Sequence, residues 1–138
     1  MNKIAIIGSV TSTARTILSF LKHDFEIVGV LGFEDPNKLN ISGWFDLRAL
    51  CEEKKLSFKA FKNINEKEYI DWMELRKPDI ILAVGFSQLL SVRWLQLPNI
   101  GCIGFHPTKL PKGRGRAPLA WLILEEKEGA ASFFLMGK

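Results

Sequence analysis

The sequence predicts an α/β domain built on a doubly wound, mostly parallel sheet. Short apolar runs alternate along the chain with stretches of helical period, the pattern of β-α-β units. One of those runs ends in a histidine followed by a basic loop that leads toward a new apolar helix, which is how open α/β sheets build ligand sites. With 138 residues, 47% of them hydrophobic, the chain is long enough to bury one core without disulfides.

Taken in order, residues 3–8 read as a first buried strand. Residues 13–22 read as a helix with Ala14, Ile17, Leu18 and Leu21 on one face. Residues 26–33 form a second strand, and Asp35-Pro36-Asn37 opens a loop reaching to about Gly43. A second helix is expected over 45–55, a short strand over 58–61, and a helix over 66–75 ending near Pro78. Residues 80–85 are a strong strand, and 91–97 a short helical turn stopped by Pro98. Residues 102–105 lead into the histidine, 117–126 read as a helix behind Pro118, and 131–136 as a last strand. That strand is apolar on both faces and expects cover on both. No helix follows it, so the chain reads as a single amino-terminal domain, 1–138, of something longer. Self-association through the exposed strand is the other way to bury it.

Composition narrows the function. No apolar run approaches the ~18 residues needed to span a bilayer, and the first residues are too short and strand-like for a signal peptide. Cys51 and Cys102 form no metal-ligand spacing, so no metal is expected, and two lone thiols fit a reducing cytoplasm. The net charge of +4 is uneven. Residues 1–105 carry 13 basic and 12 acidic side chains, whereas 106–138 carry 6 and 3. The excess sits behind the histidine, which argues for an anion at one site and not for a broad nucleic-acid face. The loop Gly8-Ser9-Val10-Thr11-Ser12 lacks GxGxxG, which argues against a dinucleotide.

Within residues 101–121, Lys109, Lys112, Arg114 and Arg116 place four cations in eight residues. The two arginines present forks to phosphate or carboxylate, while the lysines mainly add field. Side chains alternate along a strand, so residues 104 and 106 share a face. The Gly85-Phe86-Ser87-Gln88 loop reads either as a backbone and apolar wall for a flat ring or as a tight turn with a buried Phe. Trp44, Trp72, Trp94 and Trp121 are assigned to the core, with Trp121 alternatively walling a ligand pocket.

His106-Pro107-Thr108-Lys109-Leu110-Pro111, followed by Arg114-Gly115-Arg116-Ala117-Pro118, resembles the signature of folate-dependent formyltransferases. There a strand ends in Asn-x-His, a Ser-Leu-Leu-Pro-type loop follows, and then an Arg-Gly pair. The run Pro78-Asp79-Ile80-Ile81-Leu82-Ala83-Val84-Gly85-Phe86, with Leu89-Leu90, resembles the family's neighbouring strand and its pterin-holding loop. Residues 79–121 carry the likeness, and 1–78 agree in general layout.

The resemblance implies a Rossmann-like domain that moves a formyl group from 10-formyltetrahydrofolate to a primary amine of an anionic small-molecule acceptor. It implies His106 as the catalytic residue and Gly85, Phe86, Ser87 and Leu89 as folate contacts. Thr108, Lys112, Arg114 and Arg116 are then the acceptor contacts. Arg-Gly-Arg-Ala-Pro-Leu-x-Trp is similar to enzymes that formylate nucleotide-linked amino sugars, and a diphosphate suits the basic loop. Initiator methionyl-tRNA and glycinamide ribonucleotide are the other acceptors, so tRNA stays open although a general nucleic-acid surface does not.

Two departures stand out. The family Asn is Gly104 here, and the family's catalytic Asp lies beyond Lys138. Gly104 is either a degenerate Asn or an adaptation that lets something approach the backbone closely. Together the departures support an alternative, a folate- or nucleotide-binding domain without turnover. A different nucleotide-binding α/β domain is the third reading.

Overall fold

The computed structural model describes residues 2–35, 41–112, 114–115, 124–125 and 129–137. Among these, six strands form one sheet. They are β1 (Lys3–Gly8), β2 (Glu26–Phe33), β3 (Phe58–Phe61), β4 (Ile80–Ala83), β5 (Gly101–His106) and β6 (Ser132–Leu135), and their order across the sheet is β3-β2-β1-β4-β5-β6. The first five run parallel, and β6 closes the edge antiparallel to β5. Four helices connect them: α1 (Thr11–Lys22), α2 (Leu47–Lys54), α3 (Lys67–Glu74) and α4 (Val92–Gln96).

Each central strand is apolar on both faces because each face has its own helix layer. On one face Ala5, Ile7, Ile81, Ala83 and Cys102 pack with Tyr69, Ile70 and Met73 of α3 and Trp94 of α4. On the other, Ile4, Ile6, Val30, Leu82 and Val84 pack with Ala14 and Ile17 of α1 and with Leu47, Leu50 and Cys51 of α2.

The α1 face differs from the expected one. Thr13, Ala14 and Ile17 are buried, whereas Leu18 is 43% exposed. The helix is turned by Thr13, whose hydroxyl donates to the Val84 carbonyl at 2.6 Å and accepts from the Ser9 and Val10 amides at 3.2 and 3.3 Å. A hydroxyl with three partners is as well placed in the interior as an alkyl group. The second helix also starts later than expected, at Leu47. Asp46 caps it by accepting from the Ala49 amide at 3.0 Å, and Phe45 is held outside by its amide donating to the Ser9 carbonyl. Of the tryptophans, Trp94 is fully buried, but Trp44 is half-exposed with its indole N–H donated to the Phe33 carbonyl. Trp121 lies outside the described residues.

The chain runs outward from β1 to β3 and then crosses back to β4, which puts the topological switch between β1 and β4. Such switch points are the usual ligand crevices of open sheets. Here that crevice is stitched at its root. The Ser9 amide and hydroxyl both donate to the Gly85 carbonyl, at 3.1 and 3.0 Å. Gly85 adopts a φ of +66° against the Val10 side chain, a position only glycine fills without strain. The open part of the carboxyl edge is thereby shifted to the ends of β4 and β5.

The final strand is where the expected cover is incomplete. Phe133 and Leu135 are each 71% exposed. The helix expected over 117–126 falls mostly on residues outside those described. No helix among the described residues is long and apolar enough to cross a membrane.

Candidate active site

His106 is the last residue of β5, half-buried, on the same sheet face as Cys102 and Gly104. The Cys102 thiol lies under this face and donates to the Trp94 carbonyl at 3.4 Å. Burial pushes its pKa up to about 11, so it is a packing group and not a nucleophile. Gly104 pairs with Phe134 of β6, and the Phe134 ring lies over it.

Opposite His106 in the register stands Ser132. Its hydroxyl donates to the Thr108 carbonyl at 2.6 Å and accepts from the Leu110 amide at 3.3 Å. The Thr108 hydroxyl in turn donates to the Lys112 carbonyl at 2.9 Å. The loop leaving the histidine is therefore folded by its own hydroxyls and pinned to β6. Thr108 is 1% exposed, so the side chain the sequence assigns to the acceptor is turned into the loop. Lys109, Lys112 and Arg114 are exposed on its outside. Arg116 lies outside the described residues.

The second loop leaves β4. Phe86 packs inward with its ring 5.8 Å from that of Phe61, edge to face, and Leu90 is buried in the same cluster. Between these anchors Ser87 is exposed and the Leu89 side chain stands 87% exposed. Of the four residues assigned to folate, Ser87 and Leu89 face solvent, Phe86 forms an inner wall, and Gly85 makes the turn. β4 and β5 are adjacent and parallel, with Ala83 beside Gly104. The two loops thus leave neighbouring strands at the carboxyl edge of the sheet, and His106 is the last strand residue before the basic loop.

Two features of this edge escape the sequence reading. Asn65, in the turn before α3, bonds the Leu89 carbonyl and the Ser91 amide. Ser132 is read only as part of an apolar strand. A polar residue inside that strand, and two asparagines flanking Ile64, were the available signals. Two surface cavities lie elsewhere. One of about 450 Å³ sits by Lys77, Arg93 and Asn99, and an apolar one of about 470 Å³ lies between Phe20, Ile103 and Phe133. The second is on the opposite sheet face from His106.

The described residues make a doubly wound α/β domain with a histidine at the end of its fifth strand. Residues 3–134 match the formyl transferase family, and the chain belongs to that family. It is 31% identical over 137 residues to the methionyl-tRNA formyltransferase of Clostridioides difficile, covering 96% of this chain and 44% of that protein. It is 37% identical over 144 residues to the methionyl-tRNA formyltransferase of Clostridium tetani, covering 98% and 45%. The chain thus spans under half the length of these curated relatives.

Among solved structures, the phosphoribosylglycinamide formyltransferase of Bacillus halodurans superposes with a TM-score of 0.79 at 13% identity, covering 99% of this chain and 72% of that one. A sugar N-formyltransferase from Shewanella gives 0.65 at 14%, covering 99% and 52%. Both likenesses are of fold.

Proposed function

We propose that this chain is the formyl-transferring part of an enzyme that uses 10-formyltetrahydrofolate as donor and an aminoacyl-tRNA of the methionyl type as acceptor. The observation that carries the reading is His106 at the end of β5, leading directly into the basic loop and on the strand next to the one that ends in the Phe86–Leu89 loop, in a chain of the formyl transferase family. The acceptor is chosen on the relatives, which are named methionyl-tRNA formyltransferases. This reverses the order given by the sequence, which put a nucleotide-linked amino sugar first. Part of the motif behind that preference, residues 116–121, lies outside the described residues, and the sugar-acting neighbour is similar in fold alone.

The Gly85–Leu90 loop suits the donor. It offers an aromatic wall at Phe86, an exposed apolar side chain at Leu89 and a glycine turn that brings backbone close, the mixture a flat heteroaromatic ring requires. The bound folate supplies the formyl group. His106 donates an N–H to the oxygen that gains charge as the amine attacks; the bond from the formyl carbon to the folate nitrogen then breaks, and the proton the amine loses ends on that nitrogen as tetrahydrofolate leaves. Lys112 and Arg114 hold the acceptor's phosphates outside the loop.

Calorimetry with 5-formyltetrahydrofolate, a non-transferring analogue, measures the donor site. Formyl transfer by the full-length protein is measured on methionyl-tRNA and on a nucleotide-linked amino sugar. Binding of the folate, transfer to tRNA, and loss of transfer but not of binding in His106→Ala are the expected results. No binding by a folded chain overturns the reading. A second reading, a folate-binding domain without turnover, is favoured by Gly104, which has no side-chain amide to offer beside His106. It predicts binding with no transfer to either acceptor.

A further inference from the structure

The loop from Gly85 to Leu90 is tied down by two side-chain amides, each making two hydrogen bonds across about twenty-five residues of chain. Gln88 accepts from the Ile64 amide at 2.8 Å and donates to the Lys62 carbonyl at 2.6 Å. In the other direction, Asn65 donates to the Leu89 carbonyl at 2.8 Å and accepts from the Ser91 amide at 2.9 Å. Between them, buried Ile64 gives its carbonyl to the Trp94 indole N–H at 2.9 Å.

The two amides face each other's loops, so the turn between β3 and α3 and the loop after β4 are zipped reciprocally. Neither loop has a strand ladder here to fix it. Three of the four clamp bonds lie at exposed positions, where a loop would otherwise be free to move. What the clamp holds is a segment whose Ser87 and Leu89 side chains point into solvent.

We infer that Gln88 and Asn65 are positioning residues for folate: they pre-order the 85–90 loop so that Leu89 and the loop backbone meet the ring in their bound geometry. The inference rests on the donor site proposed above. A loop ordered in advance loses less conformational freedom on binding, and the affinity gained is mainly entropic.

The test uses the chain with 5-formyltetrahydrofolate in a calorimeter, alongside amide hydrogen exchange and thermal melting. Asn65→Ala and Gln88→Ala remove a clamp outright. Asn65→Asp keeps the acceptor for Ser91 but loses the donor to Leu89, and Gln88→Glu keeps the acceptor for Ile64 but loses the donor to Lys62; both conservative variants serve if an alanine variant does not fold. The expected result is a dissociation constant raised about five- to tenfold for each alanine variant, with smaller rises for Asp and Glu. The loss appears as a less favourable binding entropy, with faster exchange at Ile64 and Ser91. Unchanged affinity in folded variants whose exchange has increased overturns the inference and leaves the donor site standing. An affinity loss carried wholly in enthalpy also overturns it, because that marks a direct contact. Failure of the wild-type chain to bind any folate overturns the donor site itself, and this inference with it.

Discussion

The Phe134 ring lies across Gly104. A β-carbon added at residue 104 would stand 2.5 Å from Cζ of that ring and within 3.0 Å of both Cε atoms, closer than packed atoms approach. The close approach that a strand glycine suggests is therefore supplied by the chain itself, from the neighbouring strand. An asparagine at 104 would meet the ring before it met any substrate.

Gly104→Asn should destabilise the chain by about 1–3 kcal/mol, the usual cost of overpacking. Phe134 is 38% exposed, so the ring can yield, and combining Gly104→Asn with Phe134→Ala should recover most of the loss. Denaturant unfolding of the two singles and the double measures the coupling. Additive losses would mean that ring and glycine do not oppose each other.

Ser132→Ala should loosen the loop after His106. Two hydrogen bonds are lost, at about 0.5–1.5 kcal/mol each, and the Thr108 carbonyl and Leu110 amide lose a partner. The full-length protein should show a raised KM for an anionic acceptor with little change in folate affinity. A change in folate affinity alone would place the loop on the donor side.

Arg114→Ala and Lys112→Ala should weaken acceptor binding by about 1.5–3 kcal/mol for a charge-assisted contact and should flatten its salt dependence. Folate binding should be untouched. Salt titrations of both ligands against wild type and variants make the comparison.

Thr13→Val keeps shape and removes the hydroxyl that serves Ser9, Val10 and Val84. Leaving buried groups unpaired costs about 1–3 kcal/mol. A lower midpoint of denaturation at unchanged slope is expected.

Cys51 and Cys102 are held neutral by burial, with pKa values pushed up to about 11. Unfolded thiols ionise near their ordinary value of about 8.5. Their contribution to stability is therefore complete below that pH and is lost as the pH rises toward 11. Melting temperatures should fall across that window, and a Cys51→Ala, Cys102→Ala double variant, although less stable throughout, should show a shallower fall.

The central parallel strands were legible because each is apolar at consecutive positions, and the site segment because cations cluster behind His106. What was not legible came from side chains whose role depends on a distant partner. Thr13 reads as polar surface until Val84 is placed beside it. Asn65 reads as a turn residue until the loop after β4 arrives, and Phe134 falls over Gly104 only through an antiparallel register set thirty residues later. The Thr108 hydroxyl is directed in the same way, by its own loop, toward the Lys112 carbonyl.

The antiparallel edge has one more implication, for the order in which the molecule assembles and comes apart. Among the described residues, β6 is four residues long, pairs with β5 and leaves Phe133 and Leu135 mostly exposed, features of a strand that opens locally at low cost. Its serine also fastens the loop that follows His106. Through the Ser132 hydroxyl, the order of the loop is therefore linked to the pairing of the edge.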